Sequence, residues 1–535
     1  MAHTLETGSP TTPRLPDYNS RRFGFSAGVI AATVMLVAIV VLRVISGVQS
    51  LPEIVAEGVL TVIPGALFSA VLDSLQHAAK PLFYVAVAIG MLLVGGFLGR
   101  WYGGDPTWKH AARIVLSAWL VFGVGVYTLL GAGIFGQHLT GGPIWHALTL
   151  LLVFVVFGAA LVHTHALLSR RAIPDLPDEG LVSRRALLQS GGAALVALVA
   201  AGGVWRLLSG AFGGSTQVQS APVAADTAAA TTPGAQNPPP FDLKGLSPEV
   251  TRTEDFYTVS KNFIDPAVAV GGWKLKIDGL VDSPMELTYD QLTALPASEG
   301  YYTLMCISNE IGGDLWGNAL WKGVKLRDLL MQAGVHTDAY KAVFTAADDY
   351  KDSVRLENAL HPDALLAWEM NGAPLKNEHG FPARLLIPGI YGMKNVKWLT
   401  GITIVADDFR GFWQNQGWDD AAPYQTESRF DTPRGRPTVP EGPLAVGGVA
   451  YAGDRGIQSV EVSTDGGQTW QPAQVKPGLS PYAWQLWRAD LPVDKNVRDL
   501  RVRATDGQGR PQVTTPADPF PSGATGLHRV TIAVQ

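Results

Sequence analysis

The chain has 535 residues, a formal net charge of −5 and only 16% charged side chains against 47% hydrophobic ones. That is less charge than a typical soluble protein carries, the apolar excess lies in the first 210 residues, and no nucleic-acid partner is expected. A single cysteine, Cys306, excludes a disulfide framework and any zinc or iron–sulfur site built from thiolates alone.

Four long apolar segments open the chain, at about 25–46, 82–99, 111–135 and 144–168, and a fifth lies at about 190–208. Each is close to the roughly twenty residues that a membrane-spanning helix needs. A sixth stretch, about 54–78, is interrupted by Glu57, Pro64, Asp73 and His77. Basic clusters decide how these are threaded: Arg21 and Arg22, then Arg100, Lys109 and Arg113, then Arg170, Arg171, Arg184 and Arg185. All three fall on the cytoplasmic side if residues 54–78 lie along, or dip into, the outer face. The expectation is a multi-pass membrane anchor over 1–208 with about five transmembrane helices, and a catalytic part on the extracytoplasmic side of the cell membrane. The run Ser183 to Gln189 with its Arg184-Arg185 pair, followed by the mild apolar run Gly191 to Val204, resembles an internal twin-arginine export signal. A positive-inside anchor before an ordinary last helix predicts the same topology. His77, His110, His138, His146, His163 and His165 lie in this part. Intramembrane histidines ligate haem, but most of these sit at span ends, so haem b is the minor reading here. A quinone or a separate cytochrome as electron-transfer partner stands equally open.

Residues 209–240, rich in Ala, Thr, Pro, Gly, Ser and Gln, read as a flexible linker that runs to about 244. As a coil it would span roughly 30 Å. Beyond it Trp273 to Ile277 alternates as a half-buried strand, and Leu287 to Leu292 begins a helix with Thr288 as its cap. The apolar run Tyr301 to Met305 ends at Cys306 and is followed by Ser308, Asn309, Gly312 and Gly313, a strand end that turns sharply. Trp321 to Leu330 reads as a turn entering a short helix. His379-Gly380-Phe381-Pro382-Ala383-Arg384 leads an apolar run to Pro388-Gly389, and Tyr391-Gly392-Met393-Lys394-Asn395-Val396-Lys397-Trp398 follows. The aromatic loop 411–418 packs the domain junction or walls an entrance. In the last hundred residues Val460 to Ser463 and Leu500 to Ala504 alternate at period two, with Asp465-Gly466-Gly467 and Asp506-Gly507 as hairpin turns.

In this order, the segments from about residue 245 to the C-terminus resemble the sulfite oxidase family of molybdopterin-dependent oxidoreductases, which includes the periplasmic protein-methionine-sulfoxide reductases. The resemblance implies an α+β sulfite-oxidase-type molybdopterin domain over 245–435 and an all-β immunoglobulin-like sandwich of the dimerisation type over 436–535. It implies a molybdenum–molybdopterin cofactor whose metal is ligated by Cys306, the pterin dithiolene supplying the other sulfurs; a soft thiolate suits such a metal. It implies pterin-phosphate contacts at His379, Arg384, Asn395, Val396 and Lys397, and packing on the pterin at Tyr257 and Asn262. Tyr350 matches the family's active-site tyrosine, a donor near the metal, and Lys261 stands where the sulfite oxidases place an arginine. Lysine lacks the bidentate fork, and Glu310 close to the cysteine repels a dianion. The expected activity is therefore oxygen-atom transfer on a small sulfur or nitrogen oxide or a sulfoxide, with Cys306, Tyr350 and Lys261 at the centre. The competing reading is a cofactor-free, membrane-anchored binding protein.

Overall fold

In the computed structural model the described residues are 17–46, 49–62, 79–137, 139, 142–170, 241, 243–262 and 265–535. The fifth apolar segment, the twin-arginine-like run, the linker over 209–240, His77 and His138 lie outside them. The chain divides into two compact units, one helical and one dominated by strands.

The helical unit contains α1 (Asp17–Ser46), α2 (Leu51–Val62), α3 (Ala79–Tyr102), α4 (Trp108–Leu120) and α5 (Gly142–Arg170). Helix α4 continues through a π-helical turn, Val121–Val126, to Leu129. It stops short of the expected residue 135. Gly131, Gly133 and Gly136 all take positive φ there, and a three-residue 3₁₀ turn replaces the last helical turn. Four stretches, Phe23–Arg43, Val85–Tyr102, Trp108–Leu129 and Gly142–Ser169, are long and apolar enough to cross a membrane by length and composition.

Helices α1 and α3 meet backbone to backbone. Gly24 and Gly28 on one face Gly99 and Gly95 on the other; a Cβ on Gly24, Gly28 or Gly99 would collide with the opposing main chain, and one on Gly95 with the Ala32 methyl. Glycines four residues apart on both partners permit this approach, the small-xxx-small packing of apolar helix pairs. The pairing is antiparallel, since Gly24 meets Gly99 and Gly28 meets Gly95. The chain between them therefore leaves and re-enters at one end of the bundle. At that end Glu53 at the start of α2 is buried, accepting from Arg43 Nε at 3.0 Å and from the Ser50 amide at 2.6 Å. At the opposite end, His110 and His165 both contact the Tyr102 ring, at 6.0 and 5.3 Å.

The second unit is built on two sheets and a sandwich. Its strands begin with β1 (Lys274–Gly279), β2 (Met285–Thr288), β3 (Ser298–Met305), β4 (Trp316–Lys325), β5 (Lys341–Ala346) and β6 (Lys351–Arg355). They continue with β7 (Leu365–Met370), β8 (Ala373–Pro374), β9 (Arg384–Leu386) and β10 (Leu399–Val405). One sheet runs β2-β1-β10-β5-β6; the other runs β3-β4-β7-β8, with β9 also paired to β7. In β1 the alternation is as read: Leu275 and Ile277 are buried, Lys274 and Lys276 exposed. The five-residue helix α6 (Tyr289–Thr293) is capped by Thr288 in a reciprocal box with Gln291.

Trp321 to Lys325, expected to be a turn, is instead the end of β4. Gly323 misleads the reading: the register shifts beside it, and the main chain of β7 passes where a side chain would go. Helix α7 (Leu326–Ala333) follows, burying Leu326, Leu329, Leu330 and Ala333 at helical spacing and ending on Gly334 at φ 73°. These pack with Leu275, Ile277, Phe344, Leu385 and Ile402 into the main core.

From residue 427 the chain forms two four-stranded antiparallel sheets. One contains β11 (Glu427–Thr432), with β12 (Thr438–Val439) pairing elsewhere, and β13 (Gly442–Tyr451). The other is centred on β14 (Ile457–Ser463) and its partner strand Asp499–Asp506. Phe430, Val446 and Trp487 from the first sheet share one core with Val460, Val462, Leu500 and Val502 from the second. That arrangement is a β-sandwich.

Candidate active site around Cys306

Cys306 is the first residue past β3, buried, with its amide donating to the Leu315 carbonyl at 2.9 Å. Its sulfur lies 3.0 Å from the Ser308 hydroxyl. Burial pushes the thiol up from its ordinary range, and the Ser308 contact opposes that rise. The loop after it is a wound turn: the Asn309 amide nitrogen donates to the Cys306 carbonyl, and the Asn309 side chain accepts from Leu315 N–H at 2.9 Å.

Residues that sequence reasoning missed hold this loop from the sandwich side. Glu427, first residue of β11, accepts from Asn309 Nδ2 and from the Gly312 amide, both at 3.3 Å. Arg429 donates to the Gly313 carbonyl and lies 4.7 Å from the Trp316 ring centre. Gly312, at φ 80°, lies against the His528 ring with no room for a Cβ. Neither Glu427 nor His528 carries a local sequence signal, because both are brought to the loop by the domain packing.

Burial pushes the Glu427 carboxyl up to about 7. A folded-state value above the ordinary 4.5 means that folding favours the neutral acid. Below about 4.5 both states are protonated and nothing is lost; as pH rises towards about 7 stability falls, then levels off. The loss is at most about 3 kcal/mol. Thermal unfolding of the cofactor-free chain across that window should show the decline, and Glu427→Gln should flatten it. His528 acts in the opposite sense. Burial, with Arg429 and Arg434, lowers it to about 4, so its contribution disappears as pH falls from 6.5 through about 4.

Arg384, the first residue of β9, is 6% exposed. Its guanidinium donates to the carbonyls of His379 at 3.1 Å and Asn395 at 3.3 Å and stacks 5.2 Å from the Trp321 ring centre. Its Nε has no hydrogen-bond partner, and it makes no ion pair among the described residues. Burial drags its pKa down to about 10. A buried guanidinium without a carboxylate is costly and marks a place for an anion. Gly380, at φ 109°, lets Arg384 and Lys397 come together; a Cβ there would lie 3.1 and 2.9 Å from theirs.

The remaining expected contacts divide. His379 is buried, and its Nε2–H donates to the Thr253 carbonyl at 2.9 Å; burial lowers its pKa. Lys397 donates to the Glu378 carbonyl at 3.0 Å beside the Trp398 ring. Asn395 spends its side chain on the loop, accepting from Ile387 N–H at 2.6 Å and donating to the Ile390 and Tyr391 carbonyls. Val396 is a core residue. Thus Arg384, His379 and Lys397 gather, while Asn395 and Val396 shape the loop that carries them.

Tyr257 stacks on Phe256 at 5.5 Å, and its hydroxyl would lie 2.7 Å from a Cβ on Gly392. Its pKa is raised first by burial and then by the nearby Cys306 thiolate. Asn262 is buried and donates to Asp348 Oδ2 at 2.5 Å. Lys261 Nζ donates to Asn262 Oδ1 at 2.9 Å and to the Asp348 carbonyl at 3.0 Å. Tyr350 closes the β5–β6 hairpin, whose Asp349 takes φ 59°. Its hydroxyl donates to Asp352 Oδ2 at 2.7 Å and to the Met393 carbonyl at 3.0 Å. Phe412 of the aromatic loop packs 6.2 Å from Tyr350, whereas Trp418 packs 5.2 Å from Phe520 of the C-terminal region. The loop thus packs on the junction with the C-terminal region at Trp418 and lies against Tyr350 at Phe412.

Comparison with known proteins agrees with this geometry. The oxidoreductase molybdopterin binding domain matches residues 263–413, and the Mo-co oxidoreductase dimerisation domain matches residues 433–522. The mitochondrial sulfite oxidase of Drosophila melanogaster is 32% identical over 310 residues, covering 49% of this chain and 53% of that one. The sulfite oxidase of Arabidopsis thaliana is 28% identical over 327 residues, covering 50% and 83%. The chain belongs to the sulfite oxidase family. It spans about half the length of the first curated relatives it matches. Among solved structures, the sulfane dehydrogenase SoxCD from Paracoccus pantotrophus aligns at 25% identity with a TM-score of 0.44, covering 50% of this chain and 76% of that one.

The family's cofactor is molybdenum–molybdopterin, and the residues here fit it. A lone buried thiol, a buried cation without a counter-anion and an adjacent aromatic pair suit one thiolate ligand, one phosphate and one flat ring. Among the described residues no group of three or more His, Cys, Asp or Glu side chains could hold a metal.

Proposed function

We propose that the chain is a membrane-anchored, extracytoplasmic enzyme that transfers an oxygen atom to or from a small sulfur or nitrogen oxide or a sulfoxide. The observation that carries the chemistry is the pairing of the buried Cys306 thiol with the uncompensated Arg384 guanidinium in one unit. When bound, the cofactor supplies two-electron oxygen-atom exchange at a metal ligated by Cys306. Arg384, His379 and Lys397 hold its phosphate, Tyr257 flanks the ring, and Asn262 fixes Asp348. We place the molybdopterin domain over 245–426 and an immunoglobulin-like domain that pairs two copies of the chain over 427–535, not the expected break at 435, because β11 (Glu427–Thr432) already belongs to the sandwich.

Substrate preference follows from charge. Lys261 is tied to Asn262 and to both the carbonyl and carboxylate of Asp348, the latter at 3.9 Å, so its charge is largely spent within the chain. A neutral oxide suits this site better than a dianion. The purified protein should carry about one molybdenum per chain and reduce or form a neutral sulfoxide with a kcat/KM at least about 10-fold above that for sulfite. Asp348→Asn should narrow that gap by unmasking Lys261. A metal-free protein, made in a host that synthesises the cofactor, would overturn the reading.

The membrane reading rests on the four apolar stretches and on the antiparallel α1–α3 pair, which puts the end of α1 and the start of α3 on the same side. That agrees with a segment that does not span. With residues 190–208 as a fifth span, the following 209–244 linker and catalytic part lie outside the cytoplasm. A separate cytochrome or a quinone exchanges the electrons.

A further inference from the structure

Lys394 is fully buried, although it occupies a loop position that would ordinarily carry a solvated side chain. Its Nζ donates to Asp352 Oδ1 at 2.8 Å, to the Ser353 carbonyl at 3.0 Å and to Asp420 Oδ1 at 3.1 Å. Asp352 is equally buried, and its other oxygen receives the Tyr350 hydroxyl. Asp420 is 30% exposed, and its Oδ2 accepts from Lys341 Nζ at 2.6 Å. Lys341 in turn pairs with Asp408 Oδ1 at 2.7 Å, and Asp408 is 56% exposed. Gly411 crosses over Asp352 so closely that a Cβ would lie 2.7 Å from its Oδ1 and 2.6 Å from Gln414 Oε1.

The result is an unbroken hydrogen-bonded line from the Tyr350 hydroxyl to solvent. Such a line is expensive to bury. Three carboxylates and two ammonium groups thus stand in series beside the apolar core. We propose that Tyr350, Asp352, Lys394 and Asp420 form the proton path of the active site, with Lys341 and Asp408 at its mouth. The inference rests on the reading of Cys306 as metal ligand with Tyr350 beside it. Removing oxygen from a sulfoxide consumes two protons and two electrons and yields the sulfide and one water; the reverse reaction returns them. The electrons come from a one-electron carrier protein or a quinol. The protons come along the path: Tyr350 gives its hydroxyl proton to the departing oxygen and is reprotonated by Asp352. Asp352 takes a proton from Lys394, Lys394 takes one from Asp420, and Asp420 exchanges with water. Burial raises the Asp352 pKa, against the lowering effect of Lys394 and of the Tyr350 hydroxyl. The groups facing it are Tyr350 and Lys394, with Asp348 close to Tyr350.

The test combines kinetics of the holoenzyme with a spectroscopic reading of the cofactor-free chain. With a sulfoxide as substrate, Lys394→Met should lower kcat roughly 10- to 100-fold, leave KM unchanged and enlarge the solvent deuterium isotope effect. Methylammonium should restore part of the rate. Asp420→Asn, at the exposed end, should act in the same sense but less, and a thermal melt separates loss of its contacts with Lys341 and Lys394 from loss of the path. In the cofactor-free protein, infrared absorbance after a pH jump reads the Asp352 carboxyl, with Asp352→Asn assigning the band. Asp420→Asn should slow its protonation about 10-fold. Unchanged isotope effects together with an unchanged protonation rate would overturn the path while leaving the site reading intact. Full metal content and turnover in Cys306→Ser would instead overturn the site reading.

Discussion

Cys306→Ser should yield a folded chain with turnover reduced at least about 10⁴-fold, the scale seen when a residue at the reacting centre is removed. The exchange changes little in packing, since the Ser308 hydroxyl can bond an oxygen as readily as it meets the sulfur. The Cys306 amide and carbonyl keep their partners in Leu315 and Asn309. Unfolding should therefore shift by no more than about 1 kcal/mol, while molybdenum content falls. Elemental analysis beside a thermal melt separates loss of the ligand from loss of the fold. A variant that keeps both its metal and its rate would remove Cys306 from the centre.

Arg384→Met should act with opposite consequences on the two states of the protein. In the loaded enzyme it deletes the buried cation proposed to meet the cofactor phosphate. Truncating one partner of such a buried pair costs about 2–5 kcal/mol, enough to lose the cofactor on purification. In the cofactor-free chain the same change removes a guanidinium whose Nε has no partner and whose charge has no carboxylate. It also releases the carbonyls of His379 and Asn395. The net effect on the empty chain should lie within about 2 kcal/mol of zero. Isothermal titration with the isolated cofactor, or molybdenum content after purification, reads the first effect. Denaturant unfolding of the cofactor-free protein reads the second. Equal destabilisation of both forms would show Arg384 to be a structural residue only.

The sequence makes the centre of the site legible because the chemistry concentrates in short segments. Cys306 stands at a strand end before a glycine-rich turn, and Arg384 sits inside an apolar run where a solvated charge is out of place. Helix α7 and strand β1 are equally clear, since each keeps its own period. Misreadings arise where a residue's role depends on distant chain. Gly323 looks like a turn, but β7 demands it. Nothing near Asp352 in the chain shows that it is buried; that comes from the distant 408–420 loop, whose Gly411 closes over it. Lys394 sits among residues matched to the cofactor and is buried in an ion network instead. Asn395 is matched to the same contacts, and its amide is consumed within its own loop. No local pattern announces Glu427 or His528, which reach the Cys306 loop only after the sandwich has formed.

That last dependence sets an order of events. The Cys306 turn is finished by Glu427, Arg429 and His528, all of which are synthesised after the molybdopterin domain. A nascent chain that has made only the molybdopterin domain lacks the clasp that shapes the thiol's surroundings. If Cys306 holds the metal as proposed, insertion would follow synthesis of the sandwich, and a chain cut between the two β-rich parts should fail at cofactor loading before it fails at folding. The C-terminal domain would then act as a checkpoint: only a chain that has made its sandwich presents the Cys306 turn in finished form.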